Sequence, residues 1–402
     1  MGFLEYVLIA AIALQILFTI QIVCNHHYAV QRSRKDRVKF RPGCVLIVPC
    51  KGLDETFDKN IESFFSQAYQ PYHLLFVVKD QSDPAYDRLM NLVAGYGPAS
   101  QARTVDILVA GPTESCSQKL HNLLFAYRKI PKETEVLVFA DSDACAGPDW
   151  LAHIVHPLRK DKNGATSGYR CFIPQQNNTA SIALSSLNAK VCQLLGNTPF
   201  NLAWGGSMAI RVDNFREYGL EKIWQKALSD DLSLSRAVHR HHRKMVFVPS
   251  CMIASFQTTT WKQLWEFSRR QFVITRIYSL RMWIFGLLNT ALGVLTLWGS
   301  PVVAIRACQA DWAYAWIYSV PPFVFWGLQI YRAILRQKII AKLLPEYKRQ
   351  MKVARYADLY FFWGWSILLL LIILSSAVGR TITWRNIRYR LNGPLDIQII
   401  DS

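Results

Sequence analysis

Four stretches of the 402-residue chain, residues 6–25, 282–305, 312–331 and 359–379, carry no Asp, Glu, Lys or Arg. Each is long enough to cross a bilayer, which takes about 20 mostly apolar residues, so the chain cannot fold as one water-soluble globule. Between the first and second stretches lies a region of mixed polarity, about 26 to 281, large enough for a domain with its own core. The expected organisation is an anchor over 1–25, a globular domain over 26–260 and an interfacial amphipathic segment over 261–281, then a membrane-embedded region over 282–379 and a basic tail over 380–402.

The first stretch is preceded by Glu5 instead of a basic run and lacks a small-residue cleavage site, so it reads as a retained anchor. Directly after it Arg32, Arg34, Lys35, Arg37, Lys39 and Arg41 outnumber a single acid, Asp36, and the positive-inside rule puts this flank and the domain in the cytosol. Arg269, Arg270, Arg276 and Arg281 precede the second stretch and more basic residues fill 332–355, which makes stretches two and three a hairpin. A full fourth crossing would carry Arg380, Arg385, Arg388 and Arg390 to the far side, against the rule. A re-entrant fourth segment, a second segment broken at Gly299-Ser300-Pro301, or a failure of the rule are the alternatives. Without a retrieval signal at 399–402, a bacterial inner membrane is favoured over the Golgi.

The 46 Lys plus Arg exceed the 28 Asp plus Glu, for a net charge of +18, but the excess clusters beside the apolar stretches and no nucleic-acid motif surrounds it. Membrane lipid headgroups are the expected partner, and nucleic acid is not. The nine cysteines include no C-x-x-C pair and read as reduced thiols.

Within the domain, apolar runs at 45–49, 72–79, 105–109 and 135–140 alternate with helical patterns at 57–66, 84–93 and 119–128, which predicts an α/β fold with a mostly parallel sheet. Ligands sit at the carboxyl ends of such strands, and Asp80 and Asp141 stand there. An isolated D-x-D is most often a solvated turn. Asp141-Ser142-Asp143 follows an apolar strand directly, so its two carboxylates suit a hard cation, Mg²⁺ or Mn²⁺, that also binds a diphosphate. Asp80 can accept the imide N–H of uracil. Lys119 and Asn122, one helical turn apart, would offer a cation and an amide on one face to ribose or diphosphate. Asp230 and Asp231 open a further helix, where Asp230 suits the helix dipole and Asp231 a general base. Trp204 can stack on a sugar, and the glycines after it allow close backbone approach. Arg270 and Arg276 belong to a membrane-proximal basic segment from which one or two arginines could neutralise a leaving diphosphate.

In order, Pro49-x-Lys51-Gly52, Val78-Lys79-Asp80-Gln81-Ser82-Asp83-Pro84-Ala85, Lys119-x-x-Asn122, Asp141-Ser142-Asp143, Gly206-Ser207-Met208, Asp230-Asp231 and Thr383-Trp384-Arg385-x-x-Arg388-Tyr389-Arg390 resemble the ceramide glucosyltransferases, glycosyltransferase family 21, over nearly the whole chain. The resemblance implies a GT-A (nucleotide-diphospho-sugar transferase) fold that inverts while moving glucose from UDP-glucose to the primary hydroxyl of ceramide. It implies Asp231 as base, Asp141 and Asp143 at the metal, and Pro49, Lys51, Asp80, Lys119, Asn122 and Asp141 around the nucleotide-sugar. Trp204, Gly206, Ser207, Asp230, Arg270, Gln271 and Arg276 fall on the acceptor or leaving-group side. The family's closing (Q/R)-x-x-R-W is not kept: Arg270-Gln271-Phe272-Val273-Ile274 has Val-Ile where the family has Arg-Trp. Arg269 or Arg276 would then replace the leaving-group Arg, with no counterpart for the Trp. The rival expectations are a related transferase acting on a hopanoid, diacylglycerol or polyprenyl phosphate, and a catalytically inactive lipid-binding scaffold.

Overall fold

The computed structural model describes residues 3–33, 40–96, 99–312, 314–385 and 387–401; Arg34, Lys35, Asp36, Arg37 and Lys39 of the basic flank, and Ser402, lie outside the described residues. In chain order come α1 (Phe3–Arg32), β1 (Cys44–Pro49), α2 (Phe57–Phe65), β2 (Tyr72–Val78), α3 (Pro84–Tyr96), β3 (Thr104–Val109), α4 (Gln118–Tyr127), β4 (Val136–Ala140), α5 (Trp150–Val155), β5 (Asn163–Pro174) and α6 (Thr179–Cys192). They are followed by β6 (Ser207–Arg211), α7 (Val212–Glu217), α8 (Leu220–Trp224), α9 (Asp230–Arg240), β7 (Lys244–Gln257), α10 (Trp261–Tyr278), α11 (Leu280–Gln309), α12 (Val320–Leu343), α13 (Lys352–Tyr360), α14 (Phe362–Ser375), β8 (Thr381–Trp384), β9 (Ile387–Gly393) and β10 (Asp396–Asp401).

The first seven strands form one sheet in the order β3-β2-β1-β4-β6-β5-β7, in which β6 alone runs against its neighbours. β1, β2 and β4 are almost wholly buried because helices cover both faces, which is why they read as continuous apolar runs and not as alternating ones. Phe64, Leu89 and Trp150 fill one face; Leu120, Phe215 and Trp224 fill the other. β5 and β7 outgrow the rest of the sheet. Their extension packs on α6, α10, α12, α13 and α14, which ties the domain to the apolar helices.

Among the described residues two helices, α1 and α11, are each long and apolar enough to cross a membrane, and α13 with α14 forms one further bent pair, a broken span or a re-entrant loop. α11 runs unbroken through Pro301. Proline removes the N–H that would reach the carbonyl of Leu297, and the Trp326 indole donates to that carbonyl instead, at 3.1 Å. The third stretch does divide: a 3-10 turn over Ala315–Ser319 precedes α12. The C-terminal half of α12 buries Arg336 against Asp358, with two bonds of 2.6 Å. The fourth stretch bends by 84° where α13 meets α14.

That bend returns the tail to the domain. Arg269 donates to the carbonyls of Ser375 (3.2 Å) and Val378 (2.9 Å), Arg276 to that of Gly379, Arg270 to that of Thr383 (3.0 Å), and Lys51 Nζ to that of Arg385 (3.0 Å). β8, β9 and β10 form a small antiparallel sheet beside α10, on the domain's side of the apolar helices.

Candidate active site

The register of the sheet assembles the site. Ala140, the last residue of β4, pairs with Ser207, the first of the antiparallel β6, so Asp141 leaves the sheet where Gly205 and Gly206 arrive. Behind them the first turn of α4 is fixed by Ser117, whose hydroxyl accepts from Leu120 N–H (3.3 Å) and donates to the Leu228 carbonyl (2.8 Å), just before α9. α4 and α9 therefore start side by side.

Lys119 occupies the gap between those starts. Its ammonium lies 2.7 Å from Asp141 Oδ1 and 2.9 Å from Asp230 Oδ2, and it does not open toward a ribose or diphosphate as the sequence suggested. Burial alone would lower Lys119, but Asp141 and Asp230 outweigh it and raise it, so the ammonium is a fixed charge at any working pH. Burial pushes Asp230 up to about 6 against the pull of Lys119. Gly205 must lack a side chain here, since a Cβ would come within 2.4 Å of Asp230 Oδ2 and 2.8 Å of Lys119 Nζ.

Each acidic pair has a second member that Lys119 does not reach. Asp231 is held by three donors: Leu232 N–H (2.7 Å) and the Ser229 hydroxyl on Oδ1, and Gly205 N–H (3.2 Å) on Oδ2. Asp143 Oδ2 faces Arg170 at 3.6 Å, while Oδ1 is buried without a hydrogen-bond partner. Burial lifts the Asp143 carboxyl and Asp141 adds to the lift, with Arg170 and Arg385 opposing it. A buried carboxylate oxygen without a donor fits a cation as its missing partner. Among the described residues no three His, Cys, Asp or Glu side chains gather as a closed metal site. Two carboxylates suit a hard divalent ion that keeps water and takes phosphate oxygens.

Arg170 had no local signal in the sequence, lying mid-strand in β5. Its guanidinium sits over the rings of Phe172 (4.7 Å), Trp204 (5.4 Å) and Phe267 (5.3 Å) and holds them as one wall of the cleft. Trp204 folds over Gly206, leaving no room for a Cβ there. Ser207 is fully buried and accepts from the Trp150 indole at 2.9 Å, so it positions β6 and does not face a ligand.

On the nucleotide side, Pro49 ends β1 and Lys51 lies in the loop after it. Asp83 braces that loop, accepting from Gly52 N–H (2.8 Å) while it also accepts from Ala85 N–H (3.0 Å). Gly52 needs its freedom, at φ +67°. Asp80 stands at the surface beyond β2, where the Ser82 hydroxyl and N–H hold its carboxyl below the usual range. Asn122 does not share an open face with Lys119. It is buried, donating to the Val77 carbonyl (3.4 Å) and accepting from Gln118 (2.8 Å), because its turn of α4 faces the sheet. Gln271 is exposed on α10. Arg276 and Arg269 cap the carbonyls that end α14, so neither stands in for the missing Arg. Arg270 lies nearer the cleft, beside Phe267 (5.5 Å).

The sequence model described as Glycosyl transferase family 21 matches residues 7–394. Ceramide glucosyltransferase 1 of Caenorhabditis elegans is 27% identical over 152 residues, 37% of this chain and 31% of that protein. Ceramide glucosyltransferase 3 of the same organism is 34% identical over 87 residues, 22% of this chain and 18% of that one. The matched stretches thus span less than a third of either curated relative. Among solved structures, the mannosyltransferase PcManGT of Pyrobaculum calidifontis, in complex with GDP-Man and Mn²⁺, superposes at TM-score 0.46 with 14% identity, covering 92% of this chain and 97% of that one. GalNAc-T7 with UDP, GalNAc and Mn²⁺ superposes at 0.39 with 14% identity, covering 62% of this chain and 51% of that one.

Proposed function

The chain belongs to glycosyl transferase family 21, and from that premise we propose that it is an inverting hexosyltransferase that moves glucose from UDP-glucose to the primary hydroxyl of ceramide at a membrane surface. The observation that carries this reading is the bridge through Lys119, which brings an acidic pair suited to a metal diphosphate and an acidic pair suited to a base into one cleft.

The reaction is a single displacement. As the lipid oxygen bonds to the anomeric carbon, the bond from that carbon to the β-phosphate oxygen breaks on the opposite face, and its electron pair leaves with UDP. Asp231 takes the hydroxyl proton. Its oxygens are aimed by Ser229, Leu232 and Gly205 before substrate arrives, so no reorganisation is needed at that step. A Mg²⁺ or Mn²⁺ ion held by Asp143 and Asp141 would neutralise charge on the diphosphate. Lys119 keeps Asp141 and Asp230 fixed, Asp80 receives the uracil, and the Arg170–Trp204 wall flanks the sugar. α1, α11 and the exposed Trp261 and Trp265 of α10 hold the domain on the membrane, cytosolic side, where a two-chain lipid can present its headgroup without leaving the bilayer.

The test is UDP release by the full chain in detergent with UDP-glucose and Mg²⁺ or Mn²⁺, with ceramide, diacylglycerol or no lipid added. Ceramide-dependent release is expected. Release only with diacylglycerol moves the acceptor, and no release under any condition overturns the enzyme reading.

A further inference from the structure

The C-terminal sheet docks on α10 through Ile382, Tyr389 and Leu391, which pack against Val273, Ile274 and Tyr278. Val273 and Ile274 are the two residues that stand where the family has Arg-Trp, and they are 0% and 8% exposed. Their side chains form the apolar seat of the tail. An Arg at either position would bury its charge among these aliphatic groups, so the seat and the family's Arg exclude each other.

Seated this way, the turn between β8 and β9 reaches the donor side of the cleft. Trp384 pairs with Ile387, and Arg385 is the first residue of the turn, with φ +51°. Turns of this length favour Gly, Asn or Asp at positive φ, so an arginine there is held against its own preference. The loop after β1 holds it. Lys51 Nζ donates to the Arg385 carbonyl at 3.0 Å, Arg385 Nη1 reaches the Lys51 carbonyl at 3.5 Å, and Nη2 lies 3.8 Å from Asp54.

This placement concentrates positive charge. Arg385 presses on two other cations: Arg270 is lowered to about 10 by burial, with Arg170 and Arg385 adding to it and Glu266 opposing, and Lys51 is lowered by burial and then by Arg385, with Asp83 opposing. Arg385 itself keeps 48% of its side chain exposed, with Nη2 at 3.8 Å from Asp54, so its fork stands beside Lys51 with room for a phosphate.

We propose that Arg385, carried to the donor cleft by the C-terminal hairpin, binds the diphosphate of the nucleotide-sugar and fills the role left open by Val273 and Ile274. The proposal rests on the reading of this cleft as a UDP-sugar site.

Titration calorimetry on the detergent-purified full chain with UDP and with UMP, in excess Mg²⁺, separates the two. If the unmodified protein binds neither nucleotide, the UDP-sugar reading fails and this proposal with it. If it binds both, Arg385→Ala should weaken UDP by about 10-fold or more and UMP by less than about 3-fold, with Arg385→Lys recovering part of the loss. Unchanged UDP affinity in Arg385→Ala would overturn the proposal and leave the donor reading intact. Equal loss of UDP and UMP with a lowered melting midpoint would also overturn it, making Arg385 a clasp for the tail.

Discussion

The two acidic pairs of the cleft, Asp141 with Asp143 after β4 and Asp230 with Asp231 at the start of α9, are built on different scaffolds yet divided in the same way. In each, one carboxylate is tied to Lys119 and the other is left for the cleft. The tied members differ from the open ones in what surrounds them. Asp230 is nearly inaccessible and held by an ammonium, whereas Asp231 is held by N–H and O–H donors that leave it half-buried. Two adjacent carboxylates repel, and a shared cation lets both pairs ionise close together without giving up a working oxygen. In the proposed reaction Asp143 and Asp231 are the open groups, Asp141 gives one oxygen to Lys119 and keeps the other for the metal, and Asp230 serves the architecture.

The largest effects should come from exchanging the open members. Asp231→Asn keeps the shape and, through its one amide oxygen, the contact to Leu232, but gives up the acceptor for Gly205 N–H and cannot take a proton, so turnover should fall by about 10³-fold with UDP affinity within about 3-fold of the unmodified protein. Asp143→Ala should do the reverse in binding, abolishing the part of UDP affinity that chelation by EDTA removes. Steady-state UDP release and nucleotide titration with and without metal read both. Near-normal turnover in Asp231→Asn would end its assignment as base.

Next in size is the loss of the shared cation. Lys119→Met removes the counter-charge of two carboxylates at once, and stripping one partner from a buried pair costs about 3 kcal/mol. The melting midpoint in detergent should drop clearly, and adding Asp230→Asn should recover part of the drop, because the amide no longer carries a buried charge. If the single variant melts with the unmodified protein, Lys119 is a surface contact and the symmetry of the two pairs is accidental.

Which parts of this were legible in the residues follows from the range of the interactions. Asp141 could be placed because an apolar run ending in an acid is a local pattern, and strands β1 to β4 fall within a residue of the expected runs. The residue type of Lys119 was legible but not its target, since Asp141 and Asp230 lie far apart in the chain and meet only through the β4–β6 register and the α4 cap. Asn122 failed for a related reason: helical spacing says which residues share a face, not whether that face meets the sheet. The third and fourth apolar stretches were legible as apolar but not in their shape, because hydropathy counts charges in a window. It does not sense the 3-10 turn over Ala315–Ser319 or the bend between α13 and α14. Arg170 lies in a strand with no local motif, and Arg385, though part of the tail motif, reaches the cleft only through a turn distant in sequence from the carboxylates, so its place could not be read from spacing.

The smallest effect tests whether the base is also tuned from the membrane side. Tyr278 is the last residue of α10, and its phenol oxygen accepts from the backbone N–H groups of Leu228 (2.8 Å) and Ser229 (3.3 Å). Ser229 caps α9 and its hydroxyl holds Asp231, so a helix that lies against the membrane region is joined to the base through two hydrogen bonds. Tyr278→Phe keeps the packing against Ile382 and Leu391 and removes only the acceptor. Leaving those N–H groups without it costs about 1 kcal/mol, which, expressed in the barrier, is a fall in turnover of about 5-fold. UDP affinity should stay where it was, because nothing on the Asp143 side depends on that phenol. A parallel loss of UDP binding would show that Tyr278 supports the whole cleft, and an unchanged turnover would show that Ser229 aims Asp231 without help from α10.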